Sequence, residues 1–172
     1  MHVQKERFAM NRKEFIKIAA AAAVSAPLRG FGKSAGAKRP KVYFTSDISP
    51  EGLLAAYRAL GFSAKGKVGV KIHSGEPGGH NFLQPDFIKP VVDYLHGTLV
   101  ECNTAYEGRR NTTEKHLKAI EEHGFTKIAP VDIMDSEGEL VLEIPDGLQI
   151  KKNFVGSHLK NYDSLVVLSH FK

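Results

Sequence analysis

The feature that most constrains this chain is an alternation of short β-branched runs with helical stretches, each helical stretch closed by a glycine. Residues 41–45 read as a short strand and residues 50–60 as a helix, with Ser49 as N-cap, Pro50 in the first turn and Gly61 as its stop. Residues 68–73 are a second strand, and Ser74 to His80 a Gly-rich loop. Pro85 opens a helix to about His96 that Gly97 ends; residues 98–101 are a third strand. After the polar loop 103–111, Thr112 or Thr113 caps a helix that runs through His123 to its stop at Gly124. A β-rich stretch follows, with residues 127–133, 140–144 and 148–154 as candidate strands and 136–139 and 145–147 as turns. Residues 164–169 form a last, fully apolar strand. Strand and helix in alternation predict an α/β fold: a mostly parallel sheet with flanking helices, plus a β-rich insertion. A buried parallel strand needs cover on both faces. No helix is read after the last strand, so the domain is expected to be truncated at its C-terminus, completed by a missing segment or an oligomeric partner.

Charge narrows the partners. The net charge is +5, yet of 24 Lys/Arg and 19 Asp/Glu, residues 1–37 hold seven and two, leaving 17 of each sign in residues 38–172. The basic excess belongs to the leader, and the neutral body argues against a nucleic-acid partner. The apolar fraction of 42% is that of a globular chain able to bury a core. The single Cys102 excludes an internal disulfide and any cluster or zinc site built from this chain's thiolates alone.

The leader has the pattern of an export signal. Arg12, Lys13, Phe15, Ile16 and Lys17 resemble the twin-arginine consensus, with lysine in place of the second arginine, and an Ala-rich apolar run follows. That run is far below the ~20 residues of a membrane-spanning helix. Two cleavage sites compete, after Ala26, where Pro27 obstructs, and after Ala37. The expected division is therefore 1–37 signal and linker and 38–172 domain, with export machinery as a partner and the periplasm or another extracytoplasmic side as destination. An amphipathic N-terminal helix of the domain is the plain alternative.

Three polar segments follow strand ends, and ligands bind outside the carboxyl ends of strands in open α/β sheets. In the first, Gly75, Gly78 and Gly79 could let backbone N–H groups approach an anion, although such a turn is more often only a turn. His73, Glu76, His116 and His170 are candidate ligands of a divalent metal, against the alternative of solvated loop groups. His73, Glu76, Tyr106 and His170 are candidate acid–base residues. Asn103, Thr104, Arg110 and Lys172 are candidate contacts to a small anionic ligand, Arg110 by its guanidinium fork. Cys102 reads as a half-buried strand-end thiol, and His123 as a favourable residue at a helix C-terminus.

Four ordered blocks carry a resemblance: Val70-Lys71-Ile72-His73-Ser74-Gly75-Glu76, Asn103-Thr104-Ala105-Tyr106-Glu107-Gly108-Arg109-Arg110, His116 through Phe125, and Ser169-His170-Phe171-Lys172. Together they resemble the domain-of-unknown-function 362 family of uncharacterised iron–sulfur-centre proteins, over about residues 41–172. Glu101-Cys102 stands where that family usually has Asp-Thr. The resemblance implies an iron–sulfur centre, which the single Cys102 does not support, and it supplies no substrate. The candidate residues themselves point to an exported redox-associated or metal-dependent enzyme domain, with Arg110 holding a small anionic substrate. A non-catalytic periplasmic anion-binding module and an inactive fragment are the alternatives.

Overall fold

The computed structural model describes residues 40–170. The chain divides into two units, Met1–Lys41 and Val42–Lys172, and every element named below belongs to the second. The leader, both cleavage sites, Arg12, Lys13 and Lys172 lie outside the described residues.

Helix α1 runs Pro50–Ala59. Ser49 is extended, and its Oγ accepts the N–H of Gly52 at 3.0 Å, satisfying one of the donors that a helix start leaves free. Pro50 sits where a missing N–H costs nothing. Strand β1 (Val68–Lys71) leads through the Gly-rich loop to α2 (Pro85–Leu95), then β2 (Thr98–Glu101), α3 (Thr113–Glu122) and β3 (Val131–Ile133). Thr112 caps α3 by accepting the Lys115 N–H, and Gly124 takes the left-handed conformation just beyond it. A hairpin, β4 (Glu139–Glu143) with β5 (Lys152–Gly156), precedes β6 (Ser164–Val167).

β1, β2, β3 and β6 form one parallel sheet in the order β3-β2-β1-β6, and β4 pairs with β5 antiparallel. In register, Val70 stands beside Leu99 on one side and Val166 on the other, so the three share a face. That face holds the core: Val68, Val70, Ile72, Leu99 and Ile133 pack with Tyr57 of α1, Ile88, Val91 and Val92 of α2, and Ile120 of α3. The other face presents Gly69, Lys71, Val100, Leu165 and Val167. Val100 is buried, whereas Leu165 and Val167 on the edge strand are 42% and 59% exposed.

The architecture is the α/β arrangement expected, with local corrections. Residues 41–45 are not a strand: no neighbour pairs with them, and Val42 and Phe44 stand about nine-tenths exposed. Residues 127–133 shrink to Val131–Ile133, because Phe125–Lys127 closes a 3-10 turn that buries the Phe125 ring in the core. The strand expected over 148–154 is Lys152–Gly156, since Leu148 sits in the hairpin loop and faces solvent. The strands expected over 68–73 and 164–169 end at Lys71 and Val167, although Ile72 and Leu168 each add one more bond, to Val100 O and Lys71 O. The left-handed residue after α2 is His96 (φ 48°), not Gly97. Gly97 is needed for closeness instead: a Cβ there would lie 2.5 Å from Cγ2 of Val70.

Candidate functional site

Parallel pairing sends the chain out of β1, β2, β3 and β6 at one edge, where the loops beginning at Ile72, Cys102, Met134 and Leu168 gather. The order reverses at β1, with β2 and β3 added on one side and β6 on the other, which is where open α/β sheets form a crevice.

The centre of this edge is Glu101, the last residue of β2 and buried. Its Oε1 accepts the Ser74 N–H at 2.9 Å, and its Oε2 accepts Lys71 Nζ at 2.8 Å and the Cys102 N–H at 3.2 Å. Arg110 Nη1 stands 3.9 Å from Oε1. The Arg110 guanidinium is 5% exposed, yet its second carboxylate partner, Glu76, is 49% exposed. Nε donates to Glu76 Oε1 at 3.1 Å and Nη2 donates to the same oxygen. Tyr106 joins them, its hydroxyl accepting from Nη2 at 3.1 Å and donating to Glu76 Oε1 at 2.9 Å. The Arg110 bonds hold the Glu76 carboxyl below its usual range, outweighing partial burial. Burial works against the charged form of Arg110, but the bonds it donates to Glu76 prevail and raise its pKa.

Helix α3 pins the first loop. Ser74 Oγ lies 2.9 Å from Nε2 of the buried His116, and His123 Nδ1 donates to Ser74 O at 2.7 Å with its ring stacked on Phe82. Burial, then Arg110, keeps His116 below the ordinary histidine value, and its Nδ1 has no partner among the described residues. His73 is lowered likewise, first by burial and then by Arg110. His170 is exposed, just beyond β6.

These positions revise the sequence expectations residue by residue. Glu76, Tyr106 and Arg110 are bonded to one another, and His73 feels the charge of Arg110. His73 and His170 follow adjacent parallel strands and leave the sheet at the same edge. Among the described residues no three His, Cys, Asp or Glu side chains form a group able to hold a metal ion. The set His73, Glu76, His116 and His170 is therefore not assembled as ligands: Glu76 is engaged by Arg110 and His116 by Ser74. Gly79 does not offer its N–H to a ligand but closes a turn onto Glu76 O at 2.8 Å. Gly75 and Gly78 have φ of 79° and 81°, and a Cβ on Gly75 would strike the Phe82 ring. Asn103 and Thr104 brace their own loop. The Asn103 N–H donates to Asp135 at 2.9 Å, its Nδ2 donates to Thr113 Oγ1 at 3.0 Å, and the Thr104 N–H donates to Arg110 O at 2.9 Å.

Lys71, Cys102 and Asp135 also line a cleft of about 720 Å³, walled by Met134, Leu159, Leu165 and the hairpin residues Phe154 and Val155. The charged residues at this edge that sequence reasoning passed over are Lys71, Glu101 and Asp135. For Lys71 and Glu101 the available signal was a charged residue at the carboxyl end of an apolar strand, whereas Asp135 stands in the loop past β3.

A family model described as Domain of unknown function (DUF362) matches residues 68–172, from the first residue of β1 onward and across all four parallel strands. The chain belongs to this family. No curated protein and no solved structure matches it. The DUF362 match spans each loop of the edge described above. The iron–sulfur centre that the resemblance implies does not fit the residues of this chain. Such clusters are held by several thiolates, whereas Cys102 stands alone, half-buried, with its thiol pushed up by burial and then by Asp135.

Proposed function

We propose that this chain is an exported α/β domain that binds a small anion on Arg110, the anion replacing the Glu76 carboxylate. The observation that carries this reading is that Glu76 itself behaves as a bound carboxylate. A buried guanidinium and a tyrosine hydroxyl converge on one oxygen of an exposed side chain, carried on a loop with glycines at 75, 78 and 79. The Arg110 guanidinium and the Tyr106 hydroxyl are thus chemically suited to a carboxylate or phosphate oxygen. Glu101 holds the guanidinium from behind, and Lys71 balances Glu101. Residues 1–37 support the export half of the proposal, which N-terminal sequencing of cell-envelope material would test.

A catalytic reading draws on His73. Held neutral beside Arg110, it is a proton acceptor for a ligand seated there, with Tyr106 as a donor and His170 leaving the sheet at the same edge. The metal-dependent version needs His73, Glu76, His116 and His170 to regroup. Metal analysis of the purified protein separates it from simple anion binding.

The direct test is thermal stabilisation by acetate, succinate and phosphate in the wild type and in Glu76→Gln. Removing the internal competitor's charge should raise apparent anion affinity about tenfold or more, because the competent state is no longer self-occupied. If neither protein is stabilised by any of the three anions, the reading fails.

A further inference from the structure

The cleft under the β4–β5 hairpin lies on the sheet face that carries Lys71 and Leu165, and the anion reading above makes no use of it. Its volume of about 720 Å³ is ample for a small organic molecule, and most of its wall is apolar: Met134, Phe154, Val155, Leu159 and Leu165. Its charged groups do not balance. The Lys71 ammonium is already matched by Glu101 at 2.8 Å. Asp135 receives the Asn103 N–H, and neither it nor Glu139 forms an ion pair among the described residues. Two carboxylates therefore face a cleft whose one cation is neutralised from behind.

We infer that this cleft is a second ligand site, for a small molecule with an apolar body and a protonated amine received by Asp135. Glu139 adds to the negative field that favours the amine. The elevated Cys102 thiol, to which Asp135 contributes after burial, agrees with that field. An anionic head is disfavoured here, so this site and the Arg110 site select ligands of opposite charge.

The test uses the full chain, with benzylamine, benzyl alcohol and benzoate as probes matched in apolar body. Binding is followed by amide chemical shifts of residues 134–139 and 154–159. Benzylamine should bind saturably and the other two more weakly by about tenfold or more. Asp135→Asn, which keeps an acceptor for Asn103, should remove that preference. Glu139→Gln, at the first residue of β4, should weaken benzylamine by a smaller factor, and added salt should weaken it too. Glu76→Gln should leave benzylamine binding unchanged, which separates this inference from the anion reading. Benzoate binding as tightly as benzylamine overturns it. So does an amine affinity insensitive to both Glu139→Gln and salt, a result that remains decisive should Asp135→Asn fail to fold.

Discussion

At the scale of single residues, the clearest titrating device lies away from Arg110. His158 is held at both ring nitrogens, by Asp132 Oδ1 at 2.7 Å and by Glu137 Oε2 at 3.2 Å, while Tyr162 donates to the other oxygen of Asp132 at 2.7 Å. The Asp132 bond, then the Glu137 bond, raises the His158 pKa. Its stabilising contribution is therefore fully present below the ordinary histidine value and is lost as pH rises through the raised one. Buried His116 has the opposite sign. Its folded value is lowered, so stability falls as pH drops below the ordinary value and unfolding takes up a proton that the native state refuses. Thermal unfolding of wild type and His158→Gln from about pH 6 to about pH 9 should show a gap that narrows toward the alkaline end. A gap constant with pH would assign the loss to packing and not to charge.

At the scale of elements, caps explain why the helices begin where they do. Ser49 makes a side-chain bond at the start of α1, whereas Gln84 makes none at the start of α2. Ser49→Ala should cost about 1 kcal/mol in a urea titration, while Gln84→Ala should cost little. The same contrast shows what was legible in the sequence. Ser49-Pro50, Pro85, Thr112 and Gly124 act within a few residues of where they stand, so helix positions could be read directly. Strands depend on partners distant in sequence. Residues 41–45 have strand-like text and no neighbour, and the strand expected from residue 127 starts only at Val131, after the turn that gives the Phe125 ring to the core. The candidate site divides in the same way. That polar loops share one edge follows from strand direction, and His73, Glu76, Tyr106 and Arg110 were each readable as candidates, although in separate sets. What could not be read is which charges cancel. Arg110 looked like a free fork, but a buried guanidinium must be paired, and its partners lie 34 residues away at Glu76 and on β2 at Glu101.

At the scale of the whole molecule, the edge strand β6 sets the physical behaviour of the described body. Its sequence from Leu165 to Leu168 carries no charge, proline or glycine, the usual guards of an exposed edge. Leu165 and Val167 stand open to solvent while Val166 and Leu168 face the core. Light scattering at rising concentration should show growing particles, and Leu165→Lys with Val167→Lys should suppress the growth without lowering the melting temperature. Unchanged growth in that double variant would place the contact elsewhere. The even charge balance of residues 38–172 compounds the effect, because such a body has little long-range repulsion to hold copies apart. In colloidal terms the particle is short-range sticky and nearly neutral. Lowering the salt should do little to keep it dispersed, and sulfate, which strengthens apolar contact, should bring it out of solution early.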